Sequence, residues 1–554
     1  MSVIQSPWPT VAFPQKNVLS YLFSDAAYIN DTPLWNDAAD PSRNLSTRQA
    51  LQLIKQLGSG LQELGLQRGD VVLICTPNHI YVPVAYLGTV GSTFIFSGAN
   101  PAYTAKEFAH QLDNTGAKVV LAHPVKLDIV LEAAESLRFP RSRIFQFSDT
   151  KQADRHGVKD WSALLASPAS VSSWIWPELT AHEARTTVAT VNYSSGTTGL
   201  PKGVRISHAN LIANVEQSTI IHFGGVDTSK PDNWVGFLPL YHAFGQLWTI
   251  LMASRLRAPN YILSAFSFEG FFSAVQRYRP RFLQVVPPII VMLAKRPDAK
   301  NYDISSVEWI LCGAAPLKQE LQNEVSQRFN LQIKQGWGMT EVTCGGISTP
   351  NLVEDRTGSV GKLLPGTEAK LLDEKGNFAE VGEPGELYVR GPQVCLGYWR
   401  NEEASRETLS SDGWLKTGDV AVHDPKSDLF WIVDRKKELI KVNGLQVAPA
   451  ELEALLLENG DVADAAVVGI TVHDNETPRA YVTLQASAKG KVTPRDIQDW
   501  VAARVSKHKR LTGGVSFVDE VPKLPSGKIV RKLMREWAKR DAEILEKQGE
   551  KAKF

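Results

Sequence analysis

The feature that most constrains this chain is a regular alternation of short apolar segments with longer amphipathic ones. Runs of Val, Ile and Leu predict buried strands, whereas apolar residues recurring every three or four positions predict helices. The expected strands are Val71–Cys75, Lys118–Ala122, Thr187–Val191, Phe282–Val286 and Trp309–Cys312, and two of the expected helices are Thr47–Leu64 and Leu317–Phe329. This order predicts an α/β fold in which helices cover parallel sheets.

The pattern changes in the second half of the chain. Short strands separated by turns are predicted at Lys370–Leu372, Gly385–Val389 and Leu429–Val433, which indicates a small β-barrel-like unit. An α+β segment follows from Arg435. Because 554 residues are too many for one hydrophobic core, at least two domains are expected. We predict a large N-terminal domain over residues 1–433 and a small C-terminal α+β domain over residues 434–554.

Composition excludes several classes of protein. A formal net charge of +1 gives no indication of a nucleic-acid partner. The cysteines form no C-x-x-C pair, which argues against a metal site or disulfide framework and favours a reducing compartment; they are Cys75, Cys312, Cys344 and Cys395. No signal peptide and no apolar run of the roughly 18 residues needed for a membrane span is evident. We expect a cytoplasmic protein, with a faint peroxisomal alternative in the last three residues, Ala552-Lys553-Phe554.

A loop rich in glycine and hydroxyl side chains follows the predicted strand Thr187–Val191. Residues 193–203 read Tyr-Ser-Ser-Gly-Thr-Thr-Gly-Leu-Pro-Lys-Gly. Glycine allows close approach of the backbone to a ligand, successive N–H groups bind anions, and Lys202 adds a charge suited to a triphosphate. Ligands bind at the carboxyl ends of strands in open α/β sheets. A phosphate-binding loop is therefore predicted, with a surface turn as the alternative; it is not a Walker A loop, because Lys202 precedes Gly203.

Two further segments place an acidic residue after a turn. Residues 335–341, Gln-Gly-Trp-Gly-Met-Thr-Glu, bring together an aromatic ring to stack on a base, a hydroxyl and a carboxylate. Glu341 is suited to Mg²⁺, which favours one or two carboxylates with phosphate oxygens; a strand and turn with a buried Trp337 is the alternative. Residues 414–419 end on Asp419, which is suited to accept both hydroxyl protons of a ribose or to form an ordinary Asx turn.

Basic residues cluster at two places in the C-terminal part. Residues 434–441 include Arg435, Lys437 and Lys441, which form either a solvated linker or a group arranged around phosphates. Residues 523–528 put Lys528 on a loop bounded by proline and glycine. Such a loop can deliver one positive charge to a developing anion, a large term in catalysis. The alternative for Lys528 is an exposed loop lysine.

In this order and wording, these segments resemble the adenylate-forming superfamily of acyl-CoA synthetases, luciferases and peptide-synthetase adenylation domains. The 4-coumarate:CoA ligase group is the most similar, and the resemblance extends from about Val71 to Lys532. It implies an acid–thiol ligase that uses ATP, Mg²⁺ and coenzyme A. A carboxylate and ATP give an acyl-adenylate and pyrophosphate, and the CoA thiol then displaces AMP. It also implies that the small domain is mobile and turns about a hinge at Asp434 between the two steps.

The resemblance also implies a role for each matching residue. Lys528 bridges the carboxylate and the α-phosphate, His242 gates the acyl pocket, Thr340 contacts the α-phosphate and Glu341 holds Mg²⁺. The implied ATP- or AMP-binding residues are Ser194, Ser195, Gly196, Thr197, Thr198, Gly199, Lys202, Ala314, Gln335, Gly336, Trp337, Asp419, Arg435, Lys437, Lys441 and Gln446. The implied acyl-pocket residues are Phe244, Trp248, Gly313, Gly338 and Val342, and Gly444 is the CoA contact.

The chain departs from the usual pattern of that group at a few positions. Asn443 and Ala265 stand where lysines associated with CoA are usual, which leaves open the loading of a carrier protein's phosphopantetheine arm. A luciferase-like monooxygenase and a nucleotide-sensing protein without catalysis are further alternatives. Phe244 and Trp248 replace a tyrosine and a small polar residue. Without those hydroxyls a pocket loses the hydrogen bonds that select a phenol, which favours an apolar aryl or medium-chain carboxylate.

Overall fold

The computed structural model describes residues 2–194, 201–225, 232–442, 445–472, 475–524 and 527–551, with backbone only for residues 446, 475 and 546–551. The strands in these ranges form six sheets. The α/β class predicted from the sequence is confirmed. No helix among the described residues combines the length and the apolar character needed to cross a membrane.

The first sheet has six strands, of which all but the last are parallel to their neighbours. In spatial order they are Ile144–Gln146, Val119–Ala122, Val71–Cys75, Ile95–Ala99, Val188–Ser194 and Lys202–Ser207. Val71–Cys75 is buried along its whole length, as expected for a parallel strand covered on both faces. The covering helices include Thr47–Glu63, Val82–Gly91, Ala105–Thr115, Leu127–Ser136 and His208–Phe223.

The second sheet contains the strands that approach the candidate site. Its order is Phe282–Val285, Trp309–Cys312, Gln332–Trp337, Ile347–Ser348 and Lys362–Leu363. The first three strands are parallel and the last two are antiparallel. Helices Phe268–Tyr278, Pro287–Lys295 and Gln319–Phe329 connect or cover them. The first helix packs through Phe268, Phe271, Phe272 and Val275, which recur at helical spacing and are buried.

Two further sheets complete the part of the chain up to residue 435. An antiparallel sheet consists of Ile4–Gln5, Glu368–Leu372, Gly385–Arg390, Leu415–Asp424 and Leu429–Arg435. It corresponds to the predicted β-rich unit. A four-stranded sheet consists of Trp234–Gly236, Asn260–Ile262, Pro33–Asp37 and Asn44–Ser46. The remaining helices here are Val18–Leu22, Ala181–Thr186, Ala243–Gly245, Ala253–Leu256 and Glu402–Thr408, and a π-helical segment runs over Gln246–Met252.

The C-terminal part has its own hydrophobic cluster. Its strands are Ile440–Val442 with Leu445–Val447, and Val462–Val472 with Asn475–Leu484 and Val515–Phe517. Its helices are Pro449–Glu458, Pro494–Ala502 and Arg531–Lys551. Leu452 and Leu456 of the first helix are buried against the long hairpin, because residues four apart share one face of a helix. We keep residues 434–554 as a proposed separate domain.

Candidate active site

A cavity of about 930 Å³ lies where the first two sheets, the antiparallel sheet and the C-terminal part meet. Its lining residues come from distant parts of the sequence, because strand ends and loops from each part converge there. The predicted site residues that line it are Ser194, Lys202, His242, Phe244, Trp248, Gly313, Ala314, Gly336, Trp337, Gly338, Thr340, Glu341, Arg435, Lys437, Lys441 and Lys528.

Three predicted site residues do not line this cavity. Gln335, expected in an adenine pocket, instead donates from Nε2 to the Leu317 carbonyl at 2.9 Å and to Gln322 Oε1 at 2.7 Å. Val342, expected in the acyl pocket, is fully buried in the hydrophobic cluster of the antiparallel sheet. Asp419 lies behind Trp337, as described below. For Gln335, strand geometry decides the outcome, because it and the cavity-lining Gly336 are neighbours in one strand and neighbouring residues point to opposite faces.

Several predicted site residues lie outside the part of the chain that is described. These are Ser195, Gly196, Thr197, Thr198, Gly199 and Gly444, together with the side chain of Gln446. The residues that flank the glycine-rich loop are described: Ser194 ends one strand, Lys202 begins the next, and both line the cavity.

Glu341 is a buried carboxylate that lines the cavity. It lies in a single 3-10 turn, Thr340–Val342, that follows the strand Gln332–Trp337. Its Oε1 accepts a hydrogen bond from the Tyr398 hydroxyl at 2.8 Å and a longer one from Ser194 Oγ at 3.4 Å. Burial and the Glu341 charge raise the pKa of the Tyr398 hydroxyl, which therefore remains a donor.

The Oε2 atom of Glu341 accepts no hydrogen bond from the described residues. A carboxylate oxygen without a partner among the described residues, close to Ser194, fits a hard divalent cation that also takes phosphate oxygens. Lys202 lies nearby, with Nζ 5.1 Å from the centre of the Tyr398 ring. The donor set of this region is therefore compatible with Mg²⁺ bound to a nucleotide.

Asp419, Trp337 and Arg435 form one hydrogen-bonded group. Asp419 and Arg435 are directly opposed in the antiparallel sheet, and Arg435 Nε lies 3.2 Å from Asp419 Oδ1. Trp337 Nε1 donates to Asp419 Oδ2 at 2.7 Å. The carboxylate thus holds both the indole ring and the guanidinium in fixed positions, and each of those two groups lines the cavity.

Lys528 reaches the cavity from the C-terminal part. Its loop is closed by a hydrogen bond from the Leu524 N–H to the Lys528 carbonyl, at 2.8 Å. Lys523, at the start of the loop, forms an ion pair with Asp464 at 2.7 Å. Burial and the neighbouring charge of Arg435 lower the pKa of the Lys528 ammonium, whereas Asp419 and Glu341 act in the opposite direction. A buried ammonium among these groups is weakly solvated, so it interacts strongly with any anion that enters.

The positive charge of Lys528 acts on the imidazole ring of His242. Burial, reinforced by the charge of Lys528, lowers the pKa of His242 to about 4. The imidazole is therefore neutral near pH 7. It immediately precedes the short helix Ala243–Gly245 and the π-helical segment Gln246–Met252, a type of helix that is rare and often functional. Gln246 anchors this segment through reciprocal amide hydrogen bonds with Asn192, at 2.9 and 3.0 Å.

Glycines and a strained alanine shape the cavity wall. A Cβ built on Gly338 would lie 1.8 Å from the Cys344 carbonyl oxygen, so only glycine fits there. At Gly313 a Cβ would lie 3.7 Å from the Gly336 carbonyl oxygen and 3.8 Å from the Phe244 ring, an ordinary contact. Ala314 has φ of 75°. Such a conformation is costly without glycine and is concentrated at ligand sites.

Sequence reasoning did not select Tyr398, His222 or Ser348, which also line the cavity. Tyr398 follows Gly397 in a Gly-Tyr-Trp run between predicted elements, and an aromatic hydroxyl at such a loop is a usable indication. His222 and Ser348 carry no such pattern, because one lies inside a helix and the other in a two-residue strand.

Two long segments of the chain match a known family. The sequence pattern of the AMP-binding enzymes matches residues 23–399, and that of the AMP-binding enzyme C-terminal domain matches residues 451–528. The chain belongs to the AMP-binding enzyme family. The resemblance to adenylate-forming enzymes seen in the sequence is thereby confirmed.

Individual AMP-binding enzymes match over almost their full length. The phenylacetyl-CoA ligase epaB of Aspergillus niger is 36% identical over 548 residues, covering 97% of this chain and 99% of its own. A probable 4-coumarate–CoA ligase of Dictyostelium discoideum is 34% identical over 551 residues, covering 96% and 97%. Among solved structures, the anthranilate CoA ligase AuaEII in complex with anthranoyl-AMP has a TM-score of 0.85 at 24% identity, covering 95% and 98%. The similarity to AuaEII is a similarity of fold.

Proposed function

We propose that this AMP-binding enzyme is an ATP-dependent acyl-CoA ligase that acts on a small carboxylic acid. The observation that carries the proposal is the convergence of Lys528, Glu341 and Arg435 in one cavity although they come from three separate segments. Family membership and the CoA-ligase names of full-length relatives support the same reaction.

In the first step a carboxylate oxygen attacks the α-phosphorus of ATP, and pyrophosphate leaves. Lys528 and Thr340 stabilise the charge on the α-phosphate, and Lys202 with the Ser195–Gly199 loop holds the β- and γ-phosphates. Trp337 stacks on the adenine, and Arg435, which Asp419 holds in position, contacts the ribose. Positioning and preorganised charge supply most of the rate enhancement in such transfers.

Glu341 is the proposed ligand of the metal ion that accompanies ATP. Its free Oε2 is the oxygen that would hold Mg²⁺, and the Tyr398 hydrogen bond orients the carboxylate. When bound, the ion neutralises charge on the triphosphate. The residues of the chain then bind the acid, exclude water and orient the two reacting groups.

In the second step the thiol of coenzyme A attacks the carbonyl carbon of the acyl-adenylate, and AMP leaves. The proposed C-terminal domain turns about Asp434 to withdraw Lys528 and admit the pantetheine arm. Neutral His242 gates the acyl pocket, and Lys437, Lys441 and Gln446 contact the adenylate in this second arrangement. Gly444 lines the proposed path of CoA.

The first experiment is acid-dependent pyrophosphate release with Mg·ATP, with and without coenzyme A. The acids are cinnamates, benzoates, phenylacetate and C6–C12 fatty acids, and the thioester is identified by mass spectrometry. Release followed by a CoA thioester supports the ligase. Pyrophosphate release without a CoA thioester would indicate that the acyl acceptor is a carrier protein. Absence of pyrophosphate release with every acid would contradict the proposal.

Lys528→Ala separates the two steps. We expect adenylation to fall at least 100-fold, as for loss of one preorganised charge donor, while thioester formation from supplied acyl-AMP continues. Lys532→Ala is the matched control, because Lys532 is exposed on the helix Arg531–Lys551. Normal adenylation by Lys528→Ala would show that the role of Lys528 is wrongly assigned.

A further inference from the structure

The wall of the cavity contains buried polar side chains that the proposed reaction does not use. Ser218 and His222 lie one turn apart on the helix His208–Phe223, and Ser348 lies on the strand Ile347–Ser348. All three line the cavity, with exposed fractions of 4%, 2% and 6%. This differs from the apolar acyl pocket expected from Phe244 and Trp248.

His222 and Ser348 form a pair with unused hydrogen-bonding capacity. His222 Nε2 lies 3.3 Å from Ser348 Oγ. The other ring nitrogen, Nδ1, is buried and has no hydrogen-bond partner in the described ranges. An unsatisfied buried polar group is destabilising, so a ligand that satisfies it gains affinity. Buried polar groups without partners are uncommon enough to require an explanation.

The ring of His222 is held rigidly by aromatic neighbours. It meets the Trp248 ring edge-on at 5.3 Å and stacks on the Trp309 ring at 5.8 Å with an interplanar angle of 17°. Side chains fixed in this way lose little entropy when they bind a ligand. The imidazole is therefore preorganised for recognition.

The imidazole is also uncharged. Burial, with a smaller contribution from the Lys334 ammonium, lowers the pKa of His222 to about 3. A neutral imidazole has one donor and one acceptor nitrogen, and a serine hydroxyl can act as either. The pair can thus serve a hydroxyl or amino group, but it supplies no charge to compensate a buried carboxylate.

His222 packs against Trp248, which the sequence predicts to line the acyl pocket, and this contact is the reason for placing the pair on the acyl side of the cavity. Trp309 begins the strand that ends at Cys312, just before Gly313. The chain rises by roughly 3.3 Å per residue in such a strand, so Trp309 and Gly313 are about 13 Å apart. Ser348 Oγ borders the same space, since a Cβ on Gly336 would lie 3.1 Å from it.

We propose that His222 and Ser348 recognise a neutral hydrogen-bonding substituent at the end of the acid that is remote from its carboxyl group. The substrate class is an aryl or medium-chain carboxylic acid with a terminal hydroxyl group, or an aryl acid with an uncharged aromatic amino group, and dicarboxylic acids are disfavoured. This inference rests on the proposed acyl-CoA ligase function and assigns the specificity of the same site.

The test uses pairs of acids that differ only in the terminal group. Octanoic acid is compared with 8-hydroxyoctanoic acid, and 3-phenylpropionic acid with 3-(4-hydroxyphenyl)propionic acid, by kcat/KM for pyrophosphate release. We expect the wild type to prefer the hydroxylated acid of at least one pair by about tenfold or more, the equivalent of one buried hydrogen bond. In His222→Phe and in Ser348→Ala the preference should fall at least tenfold.

A matched control is His423→Phe. His423 is another buried histidine with an unpartnered ring nitrogen, but it packs on Phe430 in the antiparallel sheet and does not line the cavity. The ratio of kcat/KM for the hydroxylated acid to that for the unsubstituted acid should be the same in His423→Phe as in the wild type. Turnover of both acids with no preference in the wild type, or a preference unchanged in both variants, overturns this inference and leaves the ligase intact. Absence of turnover with every acid overturns the proposed function itself.

Discussion

Gly527 packs directly against Pro288. A Cβ built on Gly527 would lie 3.0 Å from Cγ and Cδ of the proline ring, and the φ angle of Gly527 is 79°. Pro288 lies in the first turn of the helix Pro287–Lys295, so the contact joins the loop that carries Lys528 to the N-terminal part. Lys295 adds a second connection, because its Nζ donates to the Val462 carbonyl at 2.6 Å. The position of Lys528 thus depends on a close approach that a larger side chain would prevent.

Gly527→Ala should slow adenylation at least tenfold. The added methyl meets a rigid proline ring, and the left-handed backbone conformation is unfavourable for alanine by about 1 kcal/mol or more. Thioester formation from supplied acyl-AMP should be affected much less, since the proposed mechanism withdraws Lys528 in that step. The two half-reactions are measured separately by pyrophosphate release and by mass spectrometry of the CoA thioester.

Gly490→Ala is the matched control for that variant. Gly490 has φ of 75°, but a Cβ there would meet no atom within 4 Å. It therefore carries the same backbone penalty without the contact. Equal effects of the two substitutions on adenylation would contradict the importance of the Gly527–Pro288 contact.

Tyr398→Phe should lower the rate of adenylation by about 10- to 100-fold, the usual consequence of losing a hydrogen bond to a buried charge. The variant keeps the ring but removes the donor to Glu341. Because Glu341 is the proposed Mg²⁺ ligand, the Mg²⁺ concentration needed for half-maximal rate should rise, while the KM for the acid should not. Tyr388→Phe, outside the cavity, is the control; an unchanged Mg²⁺ dependence in Tyr398→Phe would refute the positioning role.

Gly313→Ala should change substrate size preference without destabilising the fold. Its Cβ would make only ordinary contacts, 3.7 Å from the Gly336 carbonyl oxygen and 3.8 Å from the Phe244 ring. The methyl group nevertheless occupies space in the proposed acyl pocket. We expect kcat/KM to fall for bulky aryl acids relative to short straight-chain acids, with a free energy of unfolding within about 0.5 kcal/mol of the wild type. An unchanged ratio of kcat/KM between bulky aryl acids and short straight-chain acids would show that Gly313 does not line the acyl pocket.

Asp434→Asn should alter the pH dependence of stability. Burial raises the pKa of Asp434 from 3.8 to about 6, although the N–H groups of Arg435 and Ala450 donate to its carboxylate. Between these two values the folded protein holds a proton that the unfolded chain has lost. The stabilising contribution is therefore present at low pH and is lost as the pH rises through about 6.

Denaturant unfolding at pH 5 and at pH 7 tests that sign. The free energy of unfolding of the wild type, relative to Asp434→Asn, should be higher at pH 5 by about 1 kcal/mol. The comparison between variants removes the contribution of every other titrating group that they share. A difference that is equal at both pH values, or larger at pH 7, would contradict the raised pKa.

Local sequence patterns predicted several strands and helices with bounds close to those observed. The strands Val71–Cys75 and Trp309–Cys312 have the predicted bounds, and the helix predicted over Thr47–Leu64 spans Thr47–Glu63. These elements are set by apolar periodicity and by local caps such as the Ser46 capping box. The strand Gln332–Trp337 extends into the motif at residues 335–341, since pairing with the strand Ile347–Ser348 prolongs it.

The sequence by itself determined the α/β class, the family and most residues of the candidate site, because short motifs carry that information locally. Only the tertiary structure decided which side chains share a cavity. It turned Gln335 and Val342 into the interior, joined Trp337 to Asp419, and brought Tyr398, His222 and Ser348 to the wall. The physical reason is that burial and pairing between distant segments depend on sheet register and packing, which no local pattern of residues encodes.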